Sequence, residues 1–412
     1  MSESIQVPEG YKKTEVGIIP EEWEVEELGN VCNFYDHLRV PIKKADRMKR
    51  CGSYPYYGAQ SIIDWIDGYL FDGNYLLIAE DGENLKSKVL PIAYQVSGKF
   101  WVNNHAHIIK PKDNNKIGYL EYILNFVDME KYITGSAQPK LNQNTAKKIK
   151  IQLPFPEEQQ KIASILSKVD EQIEQTEQII ERTEILKKGL MQKLLTKGIG
   201  HTKFNKTELG EIPEEWKVVK LDDEKYFQIT SGGTPARNNP DYWTNGYINW
   251  ATPTDITKNK SYFLNSTKEK INECGLKNSS AKIIPKGSVL LTSRATIGTV
   301  AINNVDMATN QGFANFVLTE SVCNYYLLLT LEFNKQKIES LGGQSTFKEV
   351  SKKALKDFKI LMPPLVEQQK IASILYKVDS HIQDNQRYSA KLQALKKGLM
   401  QDLLTGKVRV CV

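Results

Sequence analysis

Two long segments of the chain carry apolar residues in an alternating three-and-four spacing and contain no proline after their first turn. This spacing aligns the apolar side chains in one stripe along an α-helix and is typical of a coiled-coil seam. It predicts helices over residues 156–198 and 364–406, each about 60 Å long at a rise of about 1.5 Å per residue. The predicted seam positions are Ile162, Leu166, Val169, Ile173, Ile180, Leu190, Leu194, Ile371, Leu375, Val378, Ile382, Leu392, Leu399 and Leu403.

The rest of the chain alternates short apolar runs with turn signals rich in Gly, Asn and Asp, a pattern that predicts short strands joined by long loops. We therefore expect an α/β (α+β) protein with two strand-rich globular domains, over residues 1–155 and 199–363. The runs are Tyr75–Ala79, Lys99–Val102, His107–Ile109, Tyr247–Trp250, Ser288–Leu291, Thr299–Ile302 and Phe313–Leu318.

The chain also repeats itself. The motif KKTEVGIIPEEW at Lys12–Trp23 recurs 193 residues later at nine of twelve positions. The helical motif at Glu158–Asp170 recurs at twelve of thirteen positions and that at Lys187–Thr196 at nine of ten, both 209 residues later. The globular segments between these motifs show little similarity. This pattern indicates duplication of a whole domain together with its helix.

Two matching seams in one chain meet at high effective concentration. We therefore predict that the helices pair within the chain as an antiparallel coiled coil, which would relate the two copies by a pseudo-two-fold axis. A coiled coil between two copies of the chain is the alternative.

Composition adds few constraints. The chain has 412 residues, a formal net charge of +6 and five scattered cysteines, a set that favours neither a disulfide framework nor a zinc site. Without an apolar run of the roughly 20 residues that span a bilayer, we expect a cytoplasmic protein with no membrane partner.

Motifs for a chemical reaction are missing. The sequence has neither a GxGxxG dinucleotide fingerprint nor a GxxxxGK[ST] phosphate loop. The run Asn239–Tyr242 lacks the second proline of a methyltransferase NPPY motif, and Asp357–Lys359 is interpreted as structural. His105 and His107 share one face of a strand, but no third ligand accompanies them. We predict no catalytic residue and no metal site.

Basic and amide side chains are interleaved with aromatic residues in the loops of both globular segments. Lys and Arg satisfy phosphates, while Arg, Asn and Gln can make bidentate contacts with base edges. This composition is compatible with a DNA-binding surface, and the alternative is that these charge runs are ordinary solvated loops. The candidate residues are Arg39, Lys43, Lys44, Arg47, Tyr57, Gln60, Asn104, Arg237, Asn238, Asn239, Lys258 and Arg294.

Several short motifs occur together in the chain. They are the PEEW openings (Ile19–Trp23, Ile212–Trp216), the EQ-x-x-IA helix starts (Pro156–Ala163, Pro363–Ala372), KKGLMQ-x-LLT near both helix ends, YYGAQ (Tyr56–Gln60), AEDG (Ala79–Gly82), VNNHAH (Val102–His107), SGGTP (Ser231–Pro235), YW (Tyr242, Trp243), TSRATIG (Thr292–Gly298) and ATNQGF (Ala308–Phe313). With these motifs the chain resembles the specificity (S) subunits of Type I restriction–modification systems over essentially its whole length. Its first variable segment lacks the SGGTP motif that opens the second.

The resemblance implies a non-catalytic DNA reader. Each globular segment would be a target recognition domain that reads half of a split DNA site. The helices would space the two domains and dock two methyltransferase (M) subunits, and restriction/translocase (R) subunits would join through the complex. S-adenosylmethionine, ATP and Mg²⁺ are then expected in the partner subunits, with no cofactor in this chain.

Two other classes of function compete with this interpretation. The main one is a coiled-coil interaction scaffold whose globular ends bind proteins rather than DNA. The second is an enzyme, a methyltransferase or nuclease, which the missing motifs disfavour.

Overall fold

The computed structural model describes residues 7–135, 138–259, 261–342 and 349–411. Two helices of 42 and 40 residues accompany many short strands in a mixed α+β fold. The chain divides into two compact units. The first unit comprises the described residues up to Glu177 together with those from Arg387 onward, and the second unit spans Gln178–Gln386. Each unit therefore contains part of both long helices.

Twelve strands and five short helices precede the first long helix within the described ranges. The strands are β1 (Tyr11–Thr14), β2 (Gly17–Pro20), β3 (Glu24–Glu27), β4 (Cys32–Phe34), β5 (Cys51–Tyr57), β6 (Ile62–Ile66), β7 (Phe71–Asp72), β8 (Tyr75–Ala79), β9 (Ala93–Val96), β10 (Lys99–Val102), β11 (Ala106–Pro111) and β12 (Lys150–Leu153). The helices are α1 (Leu28–Val31), α2 (Lys44–Arg47), α3 (Asn84–Ser87), α4 (Ile117–Phe126) and α5 (Gln143–Ala146).

The first unit is built on two four-stranded sheets, in the orders β6-β5-β10-β7 and β4-β11-β8-β9. All pairs in these sheets are antiparallel except β5 with β10. The main core combines Trp23, Leu28 and Tyr119 with Leu166 and Leu404 of the long helices, all fully or almost fully buried. The helices are therefore part of this core.

The second half of the described chain begins with the first long helix, α6 (Pro156–Lys197), and closes with the second, α12 (Leu365–Leu404). The strands between them are β13 (Phe204–Thr207), β14 (Gly210–Pro213), β15 (Lys217–Lys220), β16 (Phe227–Thr230), β17 (Ile248–Ala251), β18 (Phe263–Leu264), β19 (Glu269–Ile271), β20 (Val289–Thr292), β21 (Val300–Asn303), β22 (Met307–Thr309), β23 (Phe313–Leu318) and β24 (Lys359–Met362). The helices are α7 (Pro253–Lys258), α8 (Glu273–Lys277), α9 (Asn324–Phe333), α10 (Lys335–Ser340) and α11 (Lys352–Lys356).

The second unit has a five-stranded sheet, β16-β23-β20-β21-β18, and a three-stranded sheet, β19-β17-β22. Its main core combines Trp216 and Tyr326 with Leu194, Ile371 and Leu375 of the long helices. The helical parts of the two cores are equivalent, and so are the two-stranded sheets β1-β2 with β13-β14 and β3-β12 with β15-β24; the larger sheets differ. The predicted fold class is confirmed: the predicted strands are present, with ends that differ from the predicted ones by at most two residues.

The long helices pack antiparallel within each unit. In the first unit, Lys396 Nζ lies 2.6 Å from Asp170 Oδ1. In the second unit, Lys187 Nζ lies 2.8 Å from Asp379 Oδ1. Asp379 and Lys396 lie 209 positions after Asp170 and Lys187, so the same ion pair occurs once in each unit. This confirms the predicted intramolecular pairing of the helices.

None of the fourteen predicted seam side chains is exposed. Six are half-buried and the others are buried. Several of these buried side chains also pack into the cores of the units. The apolar stripe of each long helix therefore contacts both the other long helix and the globular part of a unit. The buried positions are Ile162, Leu166, Leu194, Ile371, Leu375, Ile382, Leu392 and Leu403.

The start of each long helix is tied to the tryptophan of the repeated PEEW motif. Trp23 Nε1 donates to Glu158 Oε2 at 2.9 Å, and Trp216 Nε1 donates to Glu367 Oε2 at 2.8 Å. Both glutamates lie in the first turn of their helix, where a negative charge is stabilised by the helix dipole. These contacts explain why both motifs occur in both copies.

The long helices are too polar to span a membrane, and every other helix in the described ranges is also too short or too polar.

Candidate nucleic-acid interface

A basic turn in the first unit contains three of the predicted DNA-binding residues. Lys43 and Lys44 are exposed at the start of α2. Arg47 is held from within the unit: its Nε lies 3.0 Å from Asp64 Oδ2, and its guanidinium stacks over the Tyr56 ring at 4.9 Å. Arg47 therefore anchors the turn, and the two lysines are exposed together with Asp46 and Lys49.

Arg39 is engaged inside the first unit. Its Nη1 donates to Glu80 Oε2 at 2.7 Å and to the backbone oxygen of Ala106 at 2.8 Å. The Arg39 side chain is only 15% exposed. Glu80 also pairs with Lys140, whose Nζ lies 3.3 Å from Glu80 Oε1. Because removing the Arg39 guanidinium would take one of two cationic partners from a poorly hydrated carboxylate, Arg39 has a structural role here.

Asp36, Glu80 and His107 bring potential metal-ligating atoms within 4.8 Å of one another. His107 Nδ1 contacts Asp36 Oδ2 at 2.6 Å, and its Nε2 contacts the backbone oxygen of Leu141 at 2.7 Å. Burial alone would raise the pKa of Asp36, but hydrogen bonds from His107 and from the backbone of Ile108, together with the charge of Arg39, hold it below its ordinary value. Both ring nitrogens are occupied, so these side chains form an ion-pair network with Arg39.

Tyr57 and Asn104 lie close together next to this network. Tyr57 is half-buried and packs edge-on against Phe100, and burial raises its pKa. Its backbone oxygen accepts a hydrogen bond from Asn103 N at 3.0 Å, which places the exposed Asn104 beside it. Gln60 is half-buried in the loop between β5 and β6. The Asn104 amide is exposed and has no hydrogen-bond partner among the described residues, so it can contact a base edge.

Arg237 of the second unit is paired within the unit, although its side chain is 51% exposed. It donates to both carboxylate oxygens of Glu269, at 2.5 and 2.9 Å. Its guanidinium also stacks over Trp243 at 4.1 Å and over Trp250 at 4.8 Å. The hydrogen bond from Arg237 lowers the pKa of Glu269. This bidentate pair joins the 237 loop to β19.

The other candidates in the second unit lie at different places on it. Asn238 is exposed, and the Asn239 side chain accepts a hydrogen bond from Asp241 N at 3.1 Å. Lys258 is exposed at the end of α7. Arg294 Nη2 lies 2.7 Å from Glu349 Oε1.

Arg294 lines a polar cavity of about 620 Å³ in the second unit. Three lysines that were not predicted as DNA-binding residues also line it, namely Lys282, Lys352 and Lys356. Two of them belong to the run SKKALK, whose positive charge is visible in the sequence. Because no aromatic residue is interleaved with that run, the pattern used for the prediction missed it.

The structure defines a class of protein with two units that have equivalent antiparallel helices and unlike larger sheets. Exposed basic and amide side chains lie on the loops of both units. The sequence matches the family model described as "Type I restriction modification DNA specificity domain" twice, over residues 20–184 and 213–394. The chain therefore belongs to the family of Type I restriction–modification specificity subunits.

Individual relatives agree with this assignment. The chain is 34% identical over 427 residues to a putative Type I restriction enzyme MjaX specificity subunit of Methanocaldococcus jannaschii, covering 98% of this chain and 97% of the relative. It is 27% identical to the EcoR124I/EcoR124II specificity subunit of Escherichia coli, covering 65% of each chain. The fold matches the crystal structure of an S subunit from M. genitalium with a TM-score of 0.62 at 13% identity, covering 92% of this chain and 96% of that one.

Proposed function

We propose that each unit of this specificity subunit reads one half of a bipartite DNA site and that the chain itself carries no catalysis. The observation that supports this most is the contrast between the two units. The Asp170–Lys396 contact of the helices recurs in the second unit as Asp379–Lys187, whereas the two larger sheets have four strands each in the first unit and five and three strands in the second. Equivalent scaffolds with unlike sheets suit two different half-sites.

The long helices are proposed to fix the gap between the half-sites. α6 continues without a break from residues of the first unit into residues of the second, and α12 returns in the same way. At about 1.5 Å per residue each helix is roughly 60 Å long. Half-sites one turn apart on one face of DNA are separated by about 34–36 Å. Paired helices can hold such a spacing, which a flexible linker cannot.

The same helices are proposed to dock two methyltransferase subunits. Ile179 and Leu186 of the second unit are 44% and 54% exposed, one heptad apart on α6. Tyr388 and Leu395 of the first unit, 209 positions later, are 47% and 51% exposed on α12. Large exposed apolar side chains in a row are typical of an interface. Their repetition suits two copies of one partner.

Catalysis and cofactors are assigned to the partners in this proposal. S-adenosylmethionine would be bound by the methyltransferase subunits, and ATP and Mg²⁺ by restriction/translocase subunits that join through the complex. The net charge of +6 is modest for a protein that binds DNA alone. We therefore propose that the partners add contacts that raise the affinity for DNA.

The proposal is tested by selecting bound duplexes from a random pool, using the full chain with its methyltransferase partner. We expect salt-sensitive retention of duplexes that contain two unlike short motifs at a constant gap. Retention without sequence preference would contradict the proposal. Binding of other proteins without any retention of DNA would instead favour the interaction scaffold.

A further inference from the structure

The polar cavity of the second unit is strongly positive. Four cationic side chains line it, those of Lys282, Arg294, Lys352 and Lys356, against the single carboxylate of Glu349. That carboxylate pairs with Arg294. Lys282 and Lys356 are exposed, with no ion-pair partner among the residues that the structure describes. The positive charge is therefore only partly neutralised from within the unit.

Hydrogen-bonding groups accompany this charge. Ser231, Ser280 and Ser293 line the cavity, and Lys352 Nζ donates to Ser231 Oγ at 2.8 Å. Two further buried atoms of lining residues, Thr230 Oγ1 and Arg294 Nε, have no hydrogen-bond partner within the described part of the chain. Buried polar atoms are normally paired, so each orphaned group calls for a ligand or a functional explanation.

The fold of the second unit brings these groups together from segments that are far apart in the sequence. Thr230 ends β16, Arg294 follows β20, and Lys352 and Lys356 lie on α11. β16 and β20 both pair with β23 in the five-stranded sheet, so their ends converge at one edge. The cavity therefore belongs to the sheet framework of the unit.

We propose that this cavity binds a phosphate group of the DNA backbone, which fixes the register of the second unit on its half-site. The inference rests on the proposed function and adds to it the place of a backbone contact. A phosphate carries negative charge and several acceptor oxygens, which match lysine ammonium, guanidinium and hydroxyl donors. A volume of about 620 Å³ exceeds that of one phosphate and leaves room for the attached sugar.

The test compares two lysines of the same short helix. Lys356 lines the cavity, whereas Lys353 does not; both are exposed. The dissociation constant of the selected duplex is measured between about 50 and 200 mM salt for the complex with its methyltransferase partner. For Lys356→Gln we expect the slope of log K against log salt to fall in magnitude by about 1, with the base preference unchanged. Lys353→Gln should change the slope much less, and Lys356→Arg should retain it.

Equal slopes for Lys356→Gln and Lys353→Gln would overturn the cavity as a phosphate site while leaving the DNA-reading function intact. If the unsubstituted complex retained no duplex, the proposed function itself would fail. A competition arm identifies the source of the phosphate. Release of DNA by micromolar nucleoside monophosphate or inorganic phosphate would show that the cavity prefers a small free anion, which would also overturn the proposal.

Discussion

Replacing Lys187 with methionine is expected to lower the free energy of unfolding by about 3 kcal/mol, because it removes the cationic partner of a buried carboxylate. The side chains of Lys187 and Asp379 are only 15% and 9% exposed. Lys187 Nζ also donates to Tyr262 Oη at 2.8 Å and lies 3.6 Å from Glu332. Methionine keeps most of the volume of lysine, so the loss reports charge rather than a cavity. Denaturant unfolding of the full chain measures it.

The first unit supplies the matched control for this substitution. The equivalent pair, Lys396 with Asp170, has side chains that are 30% and 37% exposed. Water compensates the carboxylate there, so Lys396→Met is expected to cost no more than about 1 kcal/mol. The hydroxyl of Tyr325, whose pKa burial raises, donates to Asp379 at 2.6 Å and persists in both variants. Equal losses for the two substitutions would contradict the proposed difference in burial.

Placing glutamate at both Leu186 and Leu395 is expected to abolish stable binding of the methyltransferase partner. A charge buried without a partner in an apolar interface costs several kcal/mol, which corresponds to more than a hundredfold loss of affinity. Either substitution alone should reduce the stoichiometry from two partners to one, because the two positions are equivalent in the two copies. Native mass spectrometry or light scattering of the assembled complex measures the stoichiometry.

The control for this substitution adds the same charge at another exposed position of each helix. Gln192 and Gln401 are exposed and also lie 209 residues apart. Their replacement by glutamate should leave two partners bound. Loss of binding in this control, or two partners on the Leu186/Leu395 variant, would place the docking surface elsewhere.

The sequence predicts the helical part of this protein well, because it depends on local periodicity and on duplication. A three-and-four spacing that includes Ile162 and Leu166 marks the helix whatever the surroundings are. The pairing of the helices follows from two matching seams in one chain. The sequence pattern does not predict how the chain divides into compact units, because each unit contains part of both long helices. A linear reading of the sequence into four segments does not show that arrangement.

The candidate interface is less predictable, because the availability of a cation depends on partners far along the chain. Arg39 is paired with Glu80, 41 residues away, and Arg237 with Glu269, 32 residues away. Composition cannot distinguish these two paired arginines from Lys43, which has no ion-pair partner among the described residues. In the same way, only the fold shows that Lys356 and Arg294 line the same cavity. Loop geometry therefore decides which basic residues face a ligand.

The most direct test of the account is to lengthen both helices and to select bound DNA again. Seven residues would be inserted between Glu177 and Gln178 in α6 and seven between Gln386 and Arg387 in α12, so that the heptad pattern is kept. The insertion adds about 10 Å, or roughly three base pairs at 3.4 Å each. We expect the same two half-sites with a gap wider by about three base pairs. An unchanged gap, or altered bases within either half-site, would contradict the claim that the helices set the spacing of two independent readers.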